Sequence, residues 1–140
     1  MKVALLDTNV LLAMAWPNHQ HHRAAQSWFR AEARHGWATC ALTEIGFIRL
    51  SSNRAYTPAP QSPQQAAELL SVFLTNQPHR FWQSPSAASP GLYARAIGHL
   101  QVNDAYLVEV ARRNRGRLVT FDTRIPTQTD EKELVFVIRG

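Results

Sequence analysis

The sequence predicts an α/β fold, a three-layer sandwich whose central, mainly parallel sheet of four to five strands is flanked by helices. Two observations carry this reading. Short apolar runs at residues 2–6 and 117–121 lack polar alternation, which suits strands buried on both faces. Segments with apolar residues at helical spacing separate these runs, and parallel neighbours require such crossovers. At 140 residues the chain fits one domain with a real core, and it shows no internal repeat or low-complexity tract.

Residues 2–6 form the first predicted strand, closed by Asp7-Thr8-Asn9, any of which can cap a helix over 10–15 that Pro17 ends. A second helix, about 21–34, carries Ala24, Ala25, Trp28, Phe29 and Ala33 on one face and stops at Gly36. Residues 37–40 read as a strand, and Thr43 as the cap of a helix reaching Leu50. A proline-rich loop over 53–63 leads to a helix at about 64–75, and Phe81 and Trp82 suggest a short third strand. After a second loop at 84–91, residues 92–100 look helical. Asn103 is expected to cap a helix to Asn114, stopped by Gly116, before a strand over 117–121 and a last one over 134–138.

Composition narrows the partners. Fifteen Lys and Arg against ten Asp and Glu give a net charge of +5, which steers polyanions, nucleic acid foremost. The lone Cys40 allows neither an internal disulfide nor a cysteine zinc cluster, and the apolar run 10–16 is far too short for a membrane span. The expectation is a soluble, cytoplasmic protein without a membrane segment.

Against this basic background four acids stand out. Asp7 and Asp122 close apolar runs, and Glu44 and Asp104 sit at expected helix starts, where the dipole favours negative charge. In an open parallel sheet ligands bind beyond the carboxyl ends of the strands, so all four can converge there. Packed carboxylates repel and raise each other's pKa, and Mg²⁺ or Mn²⁺ relieves the conflict with hard oxygen ligands. Such ions activate water for in-line attack on phosphodiesters. No P-loop, GxGxxG, paired CxxC or serine-type nucleophile competes.

The blocks Leu6-Asp7-Thr8-Asn9-Val10-Leu11-Leu12, Thr43-Glu44-Ile45-Gly46-Phe47-Ile48-Arg49, Asn103-Asp104-Ala105-Tyr106-Leu107 and Leu118-Val119-Thr120-Phe121-Asp122 resemble, in this order, those of PIN-domain proteins. More specifically, they resemble those of the VapC ribonuclease toxins of type II toxin-antitoxin modules. The resemblance spans nearly the whole chain and implies one PIN domain over 1–140. It further implies a metal-dependent endoribonuclease with Asp7, Glu44, Asp104 and Asp122 as the catalytic, metal-binding quartet, Asp7 and Asp104 being direct ligands. Thr8, Asn9 and Thr120 match supporting positions. A VapB-like antitoxin whose C-terminal segment occupies the active-site groove and a toxin homodimer follow from the same resemblance. The alternatives are a PIN nuclease of RNA processing with no antitoxin, and a non-catalytic PIN-fold binding module.

Other features have plainer readings. Arg112, Arg113 and Arg115, with Arg117, form the densest basic patch and are candidates for RNA contact, although cations also suit a helix C-terminus. Arg49, Arg54 and Arg80 are alternatives near the loops. His19, His21 and His22 read as a helix start rather than a zinc site, and Trp16, Trp28, Trp37 and Trp82 as core rather than base-stacking platforms.

Overall fold

The structure, a computed structural model, describes residues 2–140. β1 is Ala4–Leu6, and Asp7 begins α1, Thr8–Ala15, by accepting the Thr8 N–H on its side chain. α2, His22–Glu32, ends in a 3-10 turn at Ala33–His35, and Gly36 turns the chain at a φ of 100° that only glycine adopts freely. β2 is Trp37–Cys40 and runs directly into α3, Ala41–Ser51. α4, Pro63–Phe73, is capped by Ser62 with proline in its first turn, and β3 is His79–Trp82. α5 spans Val102–Arg113, β4 Arg117–Thr120 and β5 Val135–Val137.

The five strands pair in parallel in the order β3-β2-β1-β4-β5, with helices on both faces, as the sequence predicts. Side-chain alternation divides the core into two layers. Ala4 and Leu6 of β1 face Trp28, Trp37 and Phe47, whereas Leu5 faces Leu107, Val110 and Leu118 under α5. Trp37 is fully buried against Phe29, Phe73 and His79. Trp28 and Trp82 are buried as well, and Trp16 donates its indole N–H to Ser51 at 3.0 Å. Cys40 is buried as a free thiol.

Three local expectations are corrected. Residues 92–100 form no helix. Two 3-10 turns, Pro90–Tyr93 and His99–Gln101, lie there instead, because Ile97 and Leu100 are 93% and 74% exposed and offer no face to bury. Cys40, not Thr43, precedes α3; the Thr43 hydroxyl reaches back to accept the Cys40 N–H at 3.1 Å. Asn103 is not the cap of α5, which continues out of the preceding 3-10 turn with Gln101 before it. No helix among the described residues is long and apolar enough to cross a membrane.

Candidate active site

The chain runs from β1 to β2 and β3 on one side and reaches β4 and β5 on the other, so the sheet reverses its order between β1 and β4. A crevice opens beyond the carboxyl ends of strands at such a reversal. Asp7 follows β1 and Asp122 follows β4, so both stand at this crevice.

Asp7 is 8% exposed and both of its oxygens are held. Oδ1 accepts the Thr8 N–H at 2.7 Å and Oδ2 accepts the Thr120 hydroxyl at 2.7 Å. Thr120 is fully buried and accepts in turn from the Asn9 side-chain amide at 3.2 Å and from the Asp122 N–H at 3.0 Å. Asn9 accepts the Phe121 N–H at 3.2 Å, so one network ties the start of α1 to the end of β4. The Thr120 hydroxyl at its centre has one proton to give and two lone pairs to fill, and all three are used.

A cavity of about 300 Å³ opens here, lined among others by Asp7, Thr8, Asn9, Arg49, Asp104 and Asp122. Asp104 enters from the first turn of α5, half-buried and with no hydrogen bond from the described residues. Burial pushes the Asp7 carboxyl up to about 6, opposed by its Thr120 and Thr8 bonds and reinforced by the charges of Asp104 and Asp122. Burial also raises Asp104, and Asp122 adds to the effect. Asp122 moves the other way, because Arg124 hydrogen-bonds its carboxylate. Gly46 lets α3 approach the floor of the cavity: a Cβ there would lie 2.6 Å from the Thr8 hydroxyl.

Glu44 is not in this group. Its carboxylate accepts the Thr39 hydroxyl at 2.6 Å, and Thr39 contacts His79 Nε2 at 2.8 Å, so Glu44 is tethered over β2 and β3 and does not line the cavity. With its single proton given to Glu44, Thr39 must accept from His79, which fixes the proton on Nε2. The basic patch also lies elsewhere. Arg112 and Arg113 bind Glu109 at 2.6 and 2.7 Å at the far end of α5, roughly 12 Å along the axis from Asp104, and Arg115 is exposed beyond them. Arg49, which lines the cavity, and Arg124, which grips Asp122, are the guanidinium groups at the site. Arg124 is a residue that the sequence reading passed over, although it stands two positions after the last acid. His22 binds the Ala13 carbonyl at 2.7 Å and His21 stacks on Phe121, so the histidine cluster serves packing.

Among the described residues no three Asp, Glu, His or Cys side chains form a ready-made cation site. The donor chemistry nevertheless suits a hard divalent ion: oxygen ligands only, two of them carboxyls raised by burial and by neighbouring carboxylates, one of these without a hydrogen-bond partner among the described residues.

A model of the PIN domain family matches residues 4–130. Ribonuclease VapC39 of Mycobacterium tuberculosis is 42% identical over 125 residues, covering 87% of this chain and 90% of the relative. Ribonuclease VapC38 of the same species is 39% identical over 130 residues, covering 93% and 92%. The crystal structure of PAE2754 from Pyrobaculum aerophilum superposes with a TM-score of 0.62, covering 96% of this chain and 83% of that one; at 19% identity this speaks for the fold alone. The sequence resemblance is thereby borne out: the chain belongs to the PIN-domain family, within the group of the VapC ribonucleases.

Proposed function

We propose that the protein is a Mg²⁺-dependent endoribonuclease and the toxin of a VapBC-type toxin-antitoxin pair. The observation that carries the proposal is the pairing of buried Asp7, fixed by Thr8 and Thr120, with unpartnered Asp104 in one cavity. The relatives named ribonucleases supply the reaction class. Asp7 and Asp104 would hold the ion, Asp122 and Glu44 would complete the set, and Mn²⁺ could replace Mg²⁺. When bound, such an ion would polarise a phosphodiester and lower the pKa of a water so that the hydroxide left after proton loss could attack the phosphorus.

The chain's own residues do the rest. Thr120 and the Thr8 N–H orient the Asp7 carboxylate, and Asn9 keeps the β4 end from drifting away from it. Leu12 and Leu107 line the cavity beside the acids and limit the water that screens them. Arg49 lines the cavity and would meet a backbone phosphate there, and the net charge of +5 would steer RNA toward it. Glu44 joins the set only by releasing Thr39. Arg112, Arg113 and Arg115 lie too far along α5 to touch the scissile phosphate, which leaves them contacts with more distant RNA backbone. The partners in this reading are RNA, a second copy of the chain and a cognate VapB-like antitoxin in the cytoplasm.

Incubation of the purified protein with total cellular RNA, followed by mapping of new 5′ ends, tests the proposal. Cleavage in Mg²⁺ that stops in EDTA and on adding the antitoxin encoded beside the gene is expected. Cleavage unaffected by EDTA sinks the metal role, and the lack of any neighbouring antitoxin gene sinks the toxin role.

A further inference from the structure

The three aspartates at the cavity are in different states. Asp7 is locked by hydrogen bonds, Asp104 has no partner among the described residues, and Asp122 is held by a cation from its own turn. The Arg124 backbone N–H and Nε both donate to Asp122 Oδ1, at 2.8 and 3.0 Å, and its terminal nitrogen donates to Oδ2 at 3.0 Å. The Asp122 side chain is 20% exposed beneath an arginine that is 79% exposed, so the guanidinium covers the carboxylate from the solvent side. A fork of this kind occupies both oxygens that a hard cation would need. Arg124 is also free to leave: nothing among the described residues but Asp122 binds its side chain.

We propose that Arg124 is a tethered counter-ion of the site, which occupies Asp122 until a divalent cation displaces it and thereby sets the cation affinity. The inference rests on the metal reading given above and adds to it a residue that works against loading. It is consistent with the absence, among the described residues, of a preformed three-ligand site beside a set of suitable donors. Asp122 is neutralised in advance, and the cation must compete for it.

Isothermal titration of the metal-free protein with Mn²⁺ tests this without reference to RNA. Arg124→Gln should bind Mn²⁺ roughly tenfold more tightly than the unaltered chain, with Arg124→Lys between them, since a point charge lacks the fork. In an Asp122→Asn background Arg124→Gln should change nothing, which separates direct competition from the mere loss of a positive charge. Arg30→Gln, at an exposed position of α2, is the control for net charge. Unchanged or weaker Mn²⁺ binding by Arg124→Gln overturns the inference, as does a gain that persists with Asp122→Asn. Mn²⁺ binding by none of these proteins overturns the metal reading and the inference together. Because Arg124 is exposed, melting in EDTA should be nearly unaltered, so folding does not confuse the result.

Discussion

The two ends of α5 carry charges that the helix dipole favours, and they behave in opposite ways. At the N-terminal end Asp104 is half-buried, has no hydrogen-bond partner among the described residues, and sits with its pKa raised by burial and by Asp122. At the C-terminal end Arg112 and Arg113 share Glu109, whose pKa is lowered chiefly by the Arg112 hydrogen bond. The second arrangement is locally satisfied and explains itself. The first holds a carboxylate in an unfavourable state that only something from outside relieves, and such residual cost marks a site of function.

Activity should separate the ends most sharply. Asp7→Asn is expected to lower RNA cleavage in Mg²⁺ about a thousandfold or more, whereas Arg112→Gln should stay within about twofold, both read from initial rates on one RNA. If Arg112→Gln proved as damaging as Asp7→Asn, the basic end of the helix would belong to the active centre and the contrast would fail.

Stability against pH should differ in sign as well. Asp7 titrates near 6 in the folded chain against 3.8 in its ordinary state, so the folded form holds its proton more tightly. That contribution is present below about pH 4 and is lost as pH rises toward 6, by about 3 kcal/mol over the window. Glu109 acts oppositely: its lowered pKa stabilises above its ordinary 4.5 and the benefit fades as pH falls, weakly because its arginine partners are half-exposed. Urea unfolding of EDTA-treated protein between pH 4 and 7 should show the Asp7 slope, and Asp7→Asn should remove most of it, leaving the smaller part that the raised Asp104 contributes with the same sign. A slope that survives the substitution undiminished contradicts the assignment.

Smaller effects follow from packing. Thr120→Val strands Asp7 Oδ2, the Asn9 amide and the Asp122 N–H, and should cost about 2 kcal/mol in chemical denaturation while raising the Asp7 pKa further. Gly46→Ala presses on Thr8 at the cavity floor and should cost about 1–3 kcal/mol, with cleavage impaired as α1 and α3 separate. Arg113→Gln, at the satisfied end, should change stability by less than about 0.5 kcal/mol and less still in high salt.

The regions that were legible in the sequence are those where local chemistry and tertiary structure agree. The runs before Asp7 and Asp122 suited buried strands, and their closing acids fell at the sheet reversal because β1 and β4 are neighbours. Residues 92–100 misled because Leu92, Ile97 and Leu100 have helical composition, while Gly98 and the lack of a surface to cover leave turns there. The place of Glu44 in the first turn of α3 was legible, but the tether of its side chain was not. It depends on Thr39 and His79 meeting it across β2 and β3, a register that no local pattern encodes. Gly46 could be noticed as an odd glycine in a helix, but its reason, the closeness of Thr8, is tertiary.

Asp104→Asn gives the most direct test of the central claim, because a half-buried side chain with no hydrogen bond from the described residues can be changed with little consequence for the fold. Cleavage of a single RNA by this variant should be measured across a Mg²⁺ titration alongside its melting temperature. The account predicts cleavage lost by about a thousandfold at every Mg²⁺ concentration with melting nearly unchanged. Cleavage at the unaltered rate would contradict it.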